Sequence, residues 1–183
     1  NPDFKKSLTR MIRSMSKAKT AVGDYDGAFR DLYLAVDVSK ELAQQFPKDF
    51  RVQRSVWLTE SIICEAYIDK AERQKVVDAC TKIIDFPTKA LAKEPENGVV
   101  AYDLAISHFN LSRAYRINNE PSMTLASAQK AIEVMTNLIK KDPENAEYKR
   151  NLAVYQTEIG RSYMMLKQYE RAIAELKSVI AAM

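Results

Sequence analysis

The sequence predicts an all-α protein, and three observations carry that prediction. Apolar residues make up 46% of the chain, enough for a packed core, and charged residues make up 28%. Only 4 Gly and 6 Pro occur in 183 residues, so the frequent turn signals of a chain of short strands are missing. Proline also recurs at a fixed interval, since Pro47, Pro95 and Pro143 lie 48 residues apart. These features together indicate a helical repeat.

The prolines stand beside the predicted start of each repeat. Asp49, Asn97 and Asn145 lie two residues after these prolines. When the chain is aligned with itself at shifts of 48 residues, equivalent positions of the repeats form a column, and Asn1 falls in the same column as these three residues. Asp and Asn side chains accept hydrogen bonds from the free N–H groups that open a helix, whereas proline ends the helix before it. One array of four repeats is therefore predicted, at 1–48, 49–96, 97–144 and 145–183.

Apolar residues support the same period. Within a repeat they recur at spacings of 3, 4 and 7, which is the pattern of a helix with one buried face. The predicted large-residue columns are Leu8, Val56, Leu104 and Leu152; Met15, Ile63, Leu111 and Ile159; Phe29, Val77, Leu125 and Ile173; and Val36, Ile84, Ile132 and Ile180. A column of small residues holds Ser16, Cys64, Ser112 and Gly160.

Each repeat is also interrupted once near its middle, at 22–27, 69–74, 118–122 and 166–170. Pro121 fits the first position of a helix, where its missing N–H has no consequence. Each repeat is thus predicted to form two antiparallel helices of roughly 20 residues, giving about eight helices in four pairs. Pro87 lies inside the second helix of repeat two and cannot donate to the Ile83 carbonyl, which predicts a kink or break there.

These repeats resemble the tetratricopeptide repeat (TPR) family. In the fourth repeat Ile159, Gly160, Tyr163 and Ala172 match the family's order of large apolar, Gly, aromatic and Ala residues. The other repeats keep parts of this pattern, and the period of 48 lengthens the family's 34 by about two turns in each helix. The resemblance implies a right-handed α-α superhelix whose first helices line a concave groove for partner peptides.

The sequence contains no motif for catalysis or for cofactor or metal binding. The one histidine, His108, has no second histidine or cysteine near it at metal-ligand spacing, and no Gly-rich phosphate loop occurs. We therefore expect no enzymatic activity and no cofactor, and we interpret His108 as a residue of a helix face.

Two cysteines do not form a disulfide framework and favour a reducing compartment. Cys64 and Cys80 fall at positions that face each other in a TPR-like helix pair. We expect buried free thiols there, with a disulfide as the alternative. No signal peptide or membrane-spanning run is found, which together with the cysteines predicts a cytoplasmic location.

The resemblance implies that partner contacts come from particular columns of the first helices. Those columns hold six basic residues against one acidic residue, with apolar residues between them, which suits an acidic peptide with apolar side chains. The candidate contacts are Arg10, Arg13, Lys17, Leu58, Glu65, Ile106, Phe109, Arg113, Arg116, Arg161 and Met164.

Two other hypotheses remain open. One is a structural or self-association module, such as a spacer or oligomerisation segment. Because the chain begins with Asn and its fourth repeat is short of a full period, we expect a fragment of a larger protein whose open carboxyl end exposes apolar surface. The other is binding of nucleic acid or an anionic membrane by the basic stretch from Lys5 to Lys19. We place it below peptide binding because aromatic residues are not interleaved with these cations.

Overall fold

A computed structural model describes residues 2–181, and all the regular elements in this range are α-helices. The predicted all-α fold is confirmed. Asn1, the proposed first helix start, lies outside the described residues. The helices are α1 (Pro2–Ala21), α2 (Tyr25–Gln45), α3 (Phe50–Lys70), α4 (Arg73–Lys82), α5 (Asp85–Lys93), α6 (Gly98–Ile117), α7 (Pro121–Lys141), α8 (Ala146–Met165) and α9 (Tyr169–Ala181).

The predicted helix starts are confirmed at three repeats. The side chains of Asp49, Asn97 and Asn145 accept hydrogen bonds from backbone N–H groups in the first turns of α3, α6 and α8. The shortest of these bonds are 2.9 Å at Asp49, 3.2 Å at Asn97 and 3.1 Å at Asn145. The preceding helices end two residues before each proline of the repeat. The prolines and the Asp or Asn residues that follow them therefore mark helix boundaries.

The repeat is also visible in the backbone between the helices of each pair. Among the described residues, positive φ occurs at Gly23 (83°), Ala71 (55°), Asn119 (63°) and Lys167 (59°). These four residues lie 48 apart and each follows the first helix of a pair. The same left-handed turn is therefore used in all four repeats, although only one of them has a glycine there.

The helices group into two compact units, Asn1–Phe86 (unit 1) and Pro87–Met183 (unit 2). In unit 1, α2 packs against α1 and α3, and α4 packs against α3. In unit 2, α7 packs against α6 and α8, and α9 packs against α8. The first helices also touch within each unit, α1 with α3 and α6 with α8. The right-handed superhelix concerns all four pairs and stays a prediction.

The small-residue column is buried as predicted. Ser16, Cys64 and Ser112 are fully buried, and a Cβ atom on buried Gly160 would lie 2.7 Å from Leu176 Cγ. Glycine is therefore needed at that position for α8 and α9 to pack so closely.

The large-residue columns are less uniform than predicted. Leu8 and its equivalents are only half-buried, because the buried face of these first helices is centred one residue further on, at Thr9, Trp57 and Ala105. Met15 is exposed, whereas its equivalents in the other repeats are buried.

The expectation of free thiols is wrong, because Cys64 and Cys80 form a disulfide between α3 and α4. Their Cα atoms are 5.0 Å apart, and both side chains are fully buried. The bond joins residues 16 apart in sequence, the same separation as Gly160 and Leu176 in repeat four. Small residues of the first helix meet the second helix at this position, so two cysteines placed there come within bonding distance.

The predicted break at Pro87 is confirmed, and within residues 2–181 it adds a ninth helix to the expected eight. Helix α4 ends at Lys82 and α5 begins at Asp85, so the second helix of repeat two is divided. The Ile83 carbonyl at this break accepts a hydrogen bond of 2.9 Å from the indole Nε1 of Trp57.

Candidate partner-binding site

In unit 2, the predicted contacts lie on facing parts of the first helices α6 and α8. Spacings of 3, 4 and 3 put Ile106, Phe109, Arg113 and Arg116 on one face of α6. The half-buried Phe109 ring stacks on Tyr155 of α8, with centroids 4.4 Å apart. The Arg113 guanidinium lies 5.9 Å from the centroid of the Phe109 ring. A cation and an aromatic surface are therefore adjacent here.

A buried carboxylate joins two of the predicted arginines. Arg116 Nε on α6 donates to Glu158 Oε1, and Arg161 Nη1 on α8 donates to Glu158 Oε2 at 3.0 Å. The Glu158 side chain has no solvent exposure, whereas the side chains of Arg116 and Arg161 are 33% and 52% exposed. The three groups carry a net charge of +1, and both guanidinium groups keep contact with solvent.

Sequence reasoning missed Glu158. Its column holds Ser14, Ile62 and Asn110 in the other repeats, so periodicity gives no reason to expect a charge there. The available signal was local, because Glu158 precedes Arg161 by three residues on the same helix.

Apolar groups surround these cations on α8. Met164 lies one turn beyond Arg161, and Val154 lies two turns before it; both are exposed. Ile106 on α6 is half-buried. The first-helix surface of unit 2 thus combines positive charge with accessible apolar side chains.

In unit 1, the predicted contacts on α1 are partly engaged with α3. Arg13 is half-buried and its Nη1 donates to the carbonyl and Oγ of Ser55, at 3.3 and 3.0 Å. Burial lowers the pKa of Arg13, and the neighbouring charges of Arg10 and Arg54 lower it further. Arg10 is exposed. Positive charge is therefore concentrated near Arg13.

The remaining predicted contacts of unit 1 are partly engaged with other residues of the same unit. Lys17 Nζ lies 3.8 Å from Glu65 Oε2, so the one predicted acidic contact is paired with a predicted basic one. Leu58 is half-buried.

The basic stretch of α1 is largely paired with carboxylates of unit 1. Four of its six cations have an acidic partner. The pairs are Lys5 with Glu41, Lys6 with Asp49 at 3.7 Å, Lys17 with Glu65 at 3.8 Å, and Lys19 with Asp31 at 2.6 Å.

Unit 1 also contains a cleft that was not predicted, of about 420 Å³, lined by α2, α3 and α4. Within it, Glu60 lies 3.4 Å from Lys40 Nζ and 2.9 Å from Lys82 Nζ. The Tyr33 and Tyr67 hydroxyl groups are 2.7 Å apart, and burial raises the pKa of Tyr67. The sequence interpretation considered only the first helices as a binding surface, and this cleft involves second helices.

His108 is half-buried on α6. Burial and the charge of Lys130 lower its pKa to about 4, so it is neutral near pH 7. Within residues 2–181, no three His, Cys, Asp or Glu side chains are grouped so that they could hold a metal ion. None of the helices in that range is both long and apolar enough to cross a membrane.

Comparison with known proteins adds little to this geometry. No protein-family model matches the chain, and no curated protein matches it. Among solved structures, it is similar to a crystal structure of nearly identical TPR-like repeats from a Podosopora anserina protein of kinesin light chain type. The identity is 16%, the TM-score is 0.41, and the match covers 94% of this chain and 93% of the other.

Proposed function

We propose that this chain is a non-catalytic interaction scaffold that binds an acidic segment of a partner protein on its first-helix surface. The observation that carries the proposal is the Arg116–Glu158–Arg161 group of unit 2, beside the ring of Phe109. A scaffold needs accessible groups of complementary charge and apolar surface, and this surface offers both.

Glu158 has a specific role in this proposal. A guanidinium group has five N–H donors, and one contact with Glu158 leaves others on each arginine for a ligand. Because the buried carboxylate fixes Arg116 and Arg161, their side chains lose less conformational entropy when a ligand carboxylate binds between them. Apolar side chains of the same segment would pack against Phe109 and Met164.

We rank the alternative of nucleic-acid or membrane binding lower. That alternative depends on the cations of α1, and the lysines among them are paired with carboxylates of the same unit. Phosphate binding gains its affinity from unpaired cations that release counterions, and α1 has few of these. Arg10 and Arg13 instead give unit 1 positive charge of its own that an acidic peptide could contact.

A cytoplasmic location is kept as part of this proposal without the support of free thiols. Two free thiols would have supported that location, and the disulfide between Cys64 and Cys80 removes this reason.

The proposal is tested with an array of short peptides of matched apolar content that carry either Asp and Glu or Asn and Gln. We expect the chain to bind the acidic set, and Arg161→Glu to weaken that binding by about tenfold to a hundredfold, as the loss of charged hydrogen bonds implies. Lys149→Glu is the matched control, since Lys149 is exposed on a different face of α8. Equal binding of both peptide sets, or equal effects of the two variants, would overturn the proposal.

A further inference from the structure

Helix α1 exposes a stripe of large apolar side chains. Phe4 is 66% exposed, Met11 is 68% exposed and Met15 is 48% exposed. Their spacings of 7 and 4 place them on one side of the helix. An exposed helix face is ordinarily polar, so a row of three exposed large apolar side chains is unusual.

The same columns are buried in the other first helices of each unit. In α3 the equivalents of Met11 and Met15 are Thr59 and Ile63, which are 0% and 7% exposed. In α8 they are Tyr155 and Ile159, at 2% and 5%. The second helix α2 packs against α3, and the second helix α7 packs against α8. The stripe on α1 is therefore the surface that a second helix covers elsewhere in this chain.

Helix α9 exposes the complementary surface, which is the face by which a second helix packs on the following first helix. We call such a contact between a second helix and the following first helix a joint. Ile173 and Ile180 are 53% and 72% exposed. Their equivalents in α2, Phe29 and Val36, are 9% and 6% exposed. The Phe29 ring lies 4.3 Å from the ring of Tyr67 on α3, so this side of α2 is the side that meets the following first helix.

We propose that copies of this chain associate head to tail, with α9 of one copy packed on α1 of the next in the register in which α2 packs on α3. The two exposed stripes are the two halves of a joint that the chain already forms internally, which argues for a second copy as the occupant. The contact is heterologous, so every assembly keeps one free α1 stripe at one end and one free α9 stripe at the other, and assemblies grow with concentration. This proposal is independent of the peptide-binding surface.

One position in this joint differs from the internal one. Lys19 stands in the column of Tyr67, so it would meet Ile173 of the neighbouring copy. Its ammonium group already lies 2.6 Å from Asp31 Oδ2, which leaves the apolar stem of the side chain to cover the isoleucine.

Sedimentation velocity of three variants of the 183-residue chain tests the proposal. We expect the average mass of the unaltered chain to rise between about 1 µM and about 1 mM. Met15→Glu and Ile173→Glu each remove one stripe, so each variant alone should stay monomeric. An equimolar mixture of the two should form a heterodimer and nothing larger, because each retains the stripe that the other lacks. Leu34→Glu, at an exposed residue of α2, is the control and should assemble normally.

Two results would overturn the proposal. The first is an unaltered chain that stays monomeric throughout this range. The second is assembly of the unaltered chain together with a mixture of Met15→Glu and Ile173→Glu that stays monomeric, since a contact between α9 and α1 would pair the two intact stripes in that mixture. Circular dichroism of each variant verifies that it is folded, and both substituted residues are exposed, so folding is expected to persist.

Discussion

The indole Nε1 of Trp57 donates a 2.9 Å hydrogen bond to the carbonyl of Ile83. In an uninterrupted helix this carbonyl would accept from the backbone N–H four residues later, but that residue is Pro87, which has none. A side chain from the first helix of the repeat therefore satisfies a group that the break in the second helix exposes. The same tryptophan is buried in unit 1 and contributes to its core.

We expect Trp57→Phe to lower the free energy of unfolding by about 1–3 kcal/mol, because the variant removes the donor to a buried carbonyl. Pro87→Ala restores a backbone N–H four residues after Ile83. The destabilisation by Trp57→Phe should therefore be smaller, by about 1 kcal/mol, in a Pro87→Ala background. Urea unfolding of the four chains of this cycle measures the difference. Strict additivity of the two substitutions would show that the hydrogen bond and the break are unrelated.

The positive-φ residues between paired helices give opposite expectations at equivalent positions. Ala71→Gly should stabilise the protein by about 1 kcal/mol, because an L side chain is disfavoured in the left-handed region. Gly23→Ala should destabilise it by about the same amount, although no atom lies within 4 Å of the added Cβ. Thermal unfolding of the two variants checks both signs. Two shifts in the same direction would contradict a shared left-handed turn.

The disulfide between Cys64 and Cys80 should contribute to stability. It joins residues 16 apart in sequence. A cross-link of that length lowers the conformational entropy of the unfolded chain and so raises the free energy of unfolding by about 3 kcal/mol. We expect urea unfolding in the presence of a reducing agent to show a loss of this size. A Cys64→Ala/Cys80→Ala double variant should show the same loss and no response to the reducing agent. Titratable thiols in the unreduced, unfolded chain would contradict the bond.

Acidification should destabilise the protein through His108. Its folded pKa of about 4 lies below the ordinary value of 6.5, because burial and Lys130 disfavour the charged form. Between these values the unfolded state binds the proton more readily, so the stability present above pH 6.5 is lost as pH falls toward 4. His108→Gln, which introduces the residue of the equivalent position 156, should have a smaller loss of stability from about pH 7 to about pH 4.5. An unchanged pH dependence in this variant would exclude His108 as its source.

Most of the helix arrangement could be predicted from the sequence, because it depends on periodic features. Helix starts at Asp49, Asn97 and Asn145 follow from capping chemistry, which acts within a few residues. The break near Pro87 follows from a missing N–H. Such signals are local, and the fixed period of 48 distinguished them from chance.

The binding surface was less predictable, because its decisive contacts are not periodic. Glu158 breaks the pattern of its own column and draws Arg116 and Arg161 together across two helices. The state of Cys64 and Cys80 depended on a distance between two helices, and composition alone favoured free thiols. The sequence identified the arginines, but it did not show which of them already had a partner.

The most direct test of the proposed function is a chemical-shift titration of the isotope-labelled chain. The titrant is an acidic peptide with apolar side chains, and its Asn and Gln counterpart serves as the control. If the first-helix surface of unit 2 binds such peptides, the acidic one alone should shift the signals of Phe109, Arg113, Arg161 and Met164 on α6 and α8. Shifts confined to the second helices α7 and α9, or equal shifts with the uncharged peptide, would contradict the proposal.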